Sequence, residues 1–234
     1  MDATFNMSAN VVPQDMTVNA VDWARLEGLT RKLSKEVAAD GGRLFVATGP
    51  AFVPRRLSLA RDAGGVWRQT PVAHGGRLVM QYELTEKDQQ HVAVPTHLYK
   101  LIVAEKQGRG GAPHYAAAAF LMPNEAIPAE QPLARYQVPV ESLEAITGLQ
   151  FFPALRAATL PDLCRTHKCE AKAPALFQKF RQVAQLRAAD SVPELRQVRE
   201  RLAANGPLDA AVEKEFARKT AELVAAAMQP IDTV

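Results

Sequence analysis

Two apolar runs flanking a glycine-rich loop constrain this chain more than any other feature. HVAVPTHLYKLIVAEK (91–106) is rich in Val, Leu and Ile. Residues of this kind fit a pleated, half-buried surface and favour strands. The loop QGRGGAP follows, and then YAAAAFLM (115–122) ending at Pro123-Asn124. Apolar run, glycine loop and apolar run in that order predict a β-hairpin. RLFVATGP reads as a further strand ending at Gly49-Pro50, and another is expected near VMQYEL. The rest of 51–90 reads as irregular.

The remaining texture is helical. In DWARLEGLTRKLSKEVA (22–38), Trp23, Leu26, Leu29 or Thr30, Leu33 and Val37 share one helical face. Asp22 is the expected N-cap, and Asp40-Gly41-Gly42 ends the helix. VPVESLEAITG predicts a short helix closed by Gly148. From about residue 172 glycine nearly disappears and Ala, Arg, Gln, Glu and Leu dominate. Helices are predicted at about 174–188, 193–204 and 209–228, the second stopped by Asn205-Gly206-Pro207. The expected organisation is an α+β core over 1–171 with a mostly antiparallel sheet, and a helical subdomain over 172–234.

Composition narrows the class. The chain has 234 residues, 47% of them hydrophobic, enough for one sizeable core and a smaller appendage. Its net charge of +3 permits anionic partners but is far from a polybasic tail. LFVATGPAFV and AAAAFLM are too short to cross a bilayer. MDATFNM is neither Arg-rich nor followed by an apolar stretch, so no presequence is visible. Cys164 and Cys169 flank His167 in LCRTHKCE. Zinc needs four ligands, or three and water, so two partly buried thiols are the preferred reading over a metal site.

The chemistry-bearing residues crowd near the N-terminus, in SANVVPQDMTVNAVDWARLE (8–27). Asn19, just before a helix, can cap it, or its amide oxygen can ligate a hard cation such as Mg²⁺. Glu27 and Arg31 are four apart. That spacing suits a solvated ion pair, or a carboxylate holding water beside a guanidinium that grips phosphate.

Several segments carry a resemblance: Asn10, Pro13 and Gln14 as N-x-x-P-Q, then Asn19, Trp23, Leu26 and Glu27, then Arg31. ATGPAFVP, HVAVPTHLYK, FLMPNEAI, YQVPVESLEAITGLQFFP and LCRTHKC follow in order. Together, over about 1–228, they resemble the ββα-metal, DNA/RNA non-specific endonuclease family, especially its mitochondrial exonuclease and endonuclease G-like members. The resemblance implies a C-terminal portion of a ββα-metal nuclease followed by a helical wing. It assigns Asn19 to Mg²⁺, Glu27 to metal-bound water, Arg31 to phosphate, and Asn10 to supporting the site geometry. It treats His91 and His97 as structural. It further implies a mitochondrial setting, compatible with inner-membrane association, and dimers or larger complexes.

One part of the family pattern is missing. The family's general base is a histidine in a D-R-G-H motif upstream of N-x-x-P-Q, and no D-R-G-H occurs in these 234 residues. The five histidines (74, 91, 97, 114 and 167) all follow Glu27 and Arg31 in sequence. The resemblance therefore implies a chain inactive alone, a pseudo-nuclease serving as accessory or structural subunit of a mitochondrial assembly. The alternative is half of a split Mg²⁺-dependent DNA/RNA nuclease whose histidine comes from a partner chain; an incomplete version of an ordinary nuclease is the third reading. In the first two, another polypeptide covers the N-terminal edge of the sheet. Nucleic acid is a further candidate partner: Arg55, Arg56, Arg61, Arg68 and Lys106 through Arg109 can line a groove, or form a solvated basic surface.

Overall fold

The computed structural model describes residues 10–61, 67–87, 90–108, 111–127, 130–155, 160–173, 178–204 and 206–228. The fold is α+β, with antiparallel sheets and, among the described residues, five α-helices. It divides into two units, one of residues 1–14, 30–124 and 134–169, the other of 15–29, 125–133 and 170–234. Helix α1 (Ala24–Ala39) contributes residues to both.

The first unit holds β1 (Arg43–Ala51), β2 (Arg55–Arg61), β3 (Trp67–Pro71), β4 (Arg77–Val79), β5 (Leu84–Lys87), β6 (Gln90–Ala93), β7 (His97–Gln107), β8 (Pro113–Pro123) and β9 (Gln137–Val138). The predicted hairpin is its centre: β7 and β8 pair antiparallel from His97 opposite Pro123 to Gln107 opposite Pro113. β1 pairs with the other side of β7, giving the order β1-β7-β8-β9. Along β7 both parities are buried: Leu98, Ile102 and Ala104 point one way, Tyr99, Leu101 and Val103 the other. Ala51, Ala117 and Ala119 join the second set against Leu143 of α2 (Val140–Thr147). Gly148, in the left-handed region at φ 69°, ends that helix as expected.

The strand predicted across 91–106 is broken. β6 stops at Ala93 and β7 begins at His97. Pro95 has no amide to donate to a ladder. Thr96 leaves the strand path, its Oγ1 accepting from the Val53 amide at 2.8 Å and donating to the Ala51 carbonyl at 3.2 Å. Residues 51–90 are also more regular than their composition suggests: β3-β2-β4 form one sheet, and β5 and β6 a ribbon. The strand expected at VMQYEL is not formed, since only Val79 and Leu84 lie in strands. Leu78, Met80, Tyr82 and Leu84 alternate as a strand would, yet stay 48–60% exposed, so no core fixes the pattern.

The two cysteines are not thiols. Cys164 and Cys169 form a disulfide, with Cα atoms 5.2 Å apart. A 3₁₀ turn over Leu163–Arg165 folds the chain back, capped by Asp162 Oδ1 accepting from the Cys164 amide at 2.9 Å. Spacing alone did not reveal how sharply that turn reverses the chain.

In the second unit a π-helical turn, Val18–Trp23, leads directly into α1. Asp22 is therefore inside a continuous helical run and is not its cap. The capping is done by Asp15, whose Oδ1 accepts from the amides of Thr17 (2.8 Å) and Val18 (3.1 Å). The predicted stripe, which runs on along α1 into the first unit, is buried throughout: Trp23, Leu26, Leu29, Leu33 and Val37. Three further helices follow, α3 (Gln178–Arg187), α4 (Val192–Ala203) and α5 (Ala210–Met228). The start predicted for the first of these, residues 174–177, lies outside the described residues. Leu186, Ala189, Leu195, Val198, Leu202 and Val212 form their common core. Among the described residues no helix is long and apolar enough to cross a membrane.

Candidate active site

Asn19 stands in the π-helical turn with its side chain exposed and its amide donating to the Asp15 carbonyl at 2.9 Å. Single π turns inside α-helices widen the backbone and are frequent at functional sites. Glu27 is half-buried in the first turn of α1, and Arg31 is exposed one turn further on. Helical geometry places these two on one face. Asn10 lies in a bend, exposed, at the start of the described chain. Glu27 and Arg31 are thus neighbours along one helix; by unit, Asn19 and Glu27 fall in the second, Asn10 and Arg31 in the first.

The turn carrying Asn19 is held by a buried charge network within the second unit. Asp22 Oδ1 accepts from Arg25 Nη1 at 3.0 Å and Arg181 Nη2 at 2.8 Å. Arg25 also donates to the carbonyls of Ala171 and Gln131, each at 3.0 Å, and to Glu170 Oε1 at 2.7 Å. Arg181 Nη1 reaches the Ile127 carbonyl at 3.2 Å. Each of these charges is paired, although Asp22 Oδ2 and Arg181 Nε are buried without a hydrogen-bond partner among the described residues, so the pairing offsets burial only in part. Sequence reasoning missed the network: Asp22 and Arg25 at i, i+3 are a visible signal, but Arg181 lies 159 residues away.

A second framework joins the motifs of the first unit. Asn124 Nδ2 donates to the carbonyls of Pro13 (3.0 Å) and Pro95 (2.9 Å), and its amide donates to the Thr96 carbonyl at 2.9 Å. Thr96 in turn holds Ala51 and Val53, as described above. One asparagine and one threonine therefore tie together N-x-x-P-Q, ATGPAFVP, HVAVPTH and PNEAI. Gln14 Oε1, in the same N-x-x-P-Q segment, is buried without a hydrogen-bond partner among the described residues.

Two histidines have defined partners within the first unit. His97 Nδ1 contacts Thr96 Oγ1 at 3.1 Å. Its pKa is lowered, first by burial and then by Arg55, which favours the neutral ring. His167 Nδ1 meets Glu36 Oε2 at 3.0 Å. Of the basic groove residues, Arg55 and Arg56 are exposed on β2, while Lys106 binds Asp40 at 2.8 Å. The side chains of Arg61 and Arg68, and Arg109 altogether, lie outside the described residues.

A metal would have few protein donors. Among the described residues no group of three or more His, Cys, Asp and Glu side chains could hold an ion. Asn19, an exposed residue, offers a single amide oxygen, which would leave any cation held there with most of its water.

The chain is similar to known nucleases. Nuclease EXOG, mitochondrial, of Danio rerio is 34% identical over 198 residues, covering 85% of this chain and 50% of that protein. Nuclease C1 of Cunninghamella echinulata var. echinulata is 35% identical over 170 residues, 72% of this chain and 56% of that one. A crystal structure of an EndoG/EndoGI complex aligns with a TM-score of 0.48 and 30% identity over 68% of this chain and 54% of that one. The chain spans about half the length of the curated relatives it matches. The DNA/RNA non-specific endonuclease profile covers residues 1–158, and the chain belongs to that family.

Proposed function

We propose that this polypeptide carries the metal-and-phosphate half of an endonuclease G-like site and is inactive alone, acting as a pseudo-nuclease accessory or structural subunit of a mitochondrial assembly. The observation that supports the nuclease-site half of this reading is the family match over residues 1–158, with Asn10, Asn19, Glu27 and Arg31 in its motif order; the inactivity is proposed for these 234 residues by themselves, in which no histidine stands in an R-G-H context. General-base loss alone costs a factor of about 10²–10⁴.

In this reading residues 1–171 are the nuclease core and 172–234 the wing. Asn19 holds Mg²⁺ by one oxygen; bound there, the ion would supply charge stabilisation for phosphodiester hydrolysis. Glu27 accepts a hydrogen bond from water and orients it. Arg31 donates to phosphate oxygens, its planar fork matching two at once. Asn10 supports the geometry of the same site. The mitochondrial setting, with or without inner-membrane association, rests on the name of the zebrafish relative. A partner polypeptide is supported by β1, which among the described residues ends the four-stranded sheet and has Phe45 and Val46 37% and 43% exposed.

A second reading draws on the same residues. Asn10, Asn19, Glu27 and Arg31 all match family site positions, and a pure scaffold has no chemical need of them. The chain would then be half of a split nuclease, its histidine supplied by a partner. Isolation of the native assembly and assay on DNA and RNA with Mg²⁺ separates the two. Cleavage that disappears on Asn19→Ala overturns the accessory reading. A partner without histidine at the R-G-H position overturns the split-enzyme reading.

A further inference from the structure

We infer that Cys164–Cys169 is a reducible disulfide that clamps residues 163–169 onto the C-terminal half of α1. The inference does not depend on whether the chain is a nuclease.

The clamp is built within the first unit. The disulfide closes a short loop between half-buried cysteines. Leu163, 1% exposed, anchors the loop at one end, and Thr166 Oγ1 donates back to the Leu163 carbonyl at 3.2 Å. Two contacts then run from the loop to α1. His167 Nδ1 lies 3.0 Å from Glu36 Oε2, and Lys32 Nζ donates to the Lys168 carbonyl at 3.0 Å. Lys32 and Glu36 are themselves one turn apart, 3.7 Å between charged atoms, so both loop contacts grip one stretch of helix. Arg31 is the neighbour of Lys32 on that stretch.

The remaining loop residues are placed for exchange rather than burial. Arg165, Thr166 and Lys168 are exposed. Two cations there favour approach of an anionic thiolate. Structural disulfides in cores are shielded from such attack, whereas accessible ones are the labile class.

The reductant is a dithiol, small or protein-borne. One thiolate attacks a sulfur of the pair, forming a mixed disulfide and releasing the other cysteine as thiolate. The second thiol of the reductant then displaces the chain. Two electrons and two protons pass to Cys164 and Cys169, and the dithiol becomes a disulfide. Without the cross-link the loop regains conformational freedom, and its two contacts with Lys32 and Glu36 must then be held against that entropy.

Amide hydrogen exchange by mass spectrometry on the full chain tests this, comparing the oxidised form with chain reduced by dithiothreitol and alkylated without denaturant. The expected result is exchange accelerated about tenfold in 163–169 and 32–37, with the β7–β8 hairpin unchanged. A Cys164→Ser/Cys169→Ser chain should reproduce the reduced pattern without any reductant. Three outcomes overturn the proposal: reduction that occurs only in denaturant, exchange identical in both redox forms, or equal acceleration in β7–β8, which would make the disulfide a global staple.

Discussion

Arg181 Nη2 donates to Asp22 Oδ1 at 2.8 Å, joining α3 to the π-helical turn that bears Asn19. Both groups are almost fully buried, and Arg25 reaches the same oxygen. Asp22→Ala leaves two buried guanidinium groups without their shared carboxylate. The expected loss is about 3–5 kcal/mol, read by urea unfolding. A loss below about 1 kcal/mol would mean that the network contributes little to the unit's stability.

Glu215 sets an acid limit on the helical unit. Its carboxyl is pulled down to about 2, first by the hydrogen bond from Arg218, which burial opposes, with the hydrogen bond and charge of Arg187 adding to the lowering. A carboxylate depressed in the folded state stabilises fully above its unfolded pKa, near 4.5, and that stability is lost as pH falls toward about 2. Thermal melts from pH 6 to about pH 2 should show a decline that begins near the unfolded value, and Glu215→Gln should flatten it. An unchanged slope in the variant would assign the decline to other carboxylates.

Gly42 sits where the chain after α1 passes close to β7. A Cβ there would collide with the Glu105 carbonyl and lie 2.8 Å from Val37 Cγ1. Neither the strand backbone nor the buried valine can retreat freely. Gly42→Ala should cost about 1–3 kcal/mol in chemical denaturation. Gly41, at φ 72° with open space around it, should lose only about 1 kcal/mol on the same substitution, from backbone strain alone.

Asn19 and Arg31 separate binding from folding. Asn19 is exposed in its turn, so Asn19→Ala should shift stability by no more than about 0.5 kcal/mol. If Arg31 grips phosphate, Arg31→Ala should weaken DNA and RNA binding alike and reduce the slope of log K against log salt by about 1. An unchanged slope would remove Arg31 from the nucleic-acid surface.

Much of the fold was legible because single elements carry strong periodic signals. The Trp23–Val37 stripe and the β7–β8 hairpin both formed where the pattern placed them. What was not legible depended on partners distant in sequence. Asp22 reads as a cap until Arg181 is brought beside it, and Cys164 and Cys169 read as thiols until a 3₁₀ turn folds them together. The segment VMQYEL reads as a strand because sequence pattern cannot say whether a covering layer exists. At the candidate site, residue identities came from motif order, and the turn geometry at Asn19 and the tie from Asn124 to Pro13 came only from the structure.

The most direct test of the proposed function is cleavage of DNA and RNA by the purified chain, alone, with Mg²⁺ in excess. A chain that holds the metal-and-phosphate residues but no general-base histidine should give no hydrolysis above background, and Asn19→Ala should change nothing. Mg²⁺-dependent cleavage by the unmodified chain that is lost on Asn19→Ala would contradict the account.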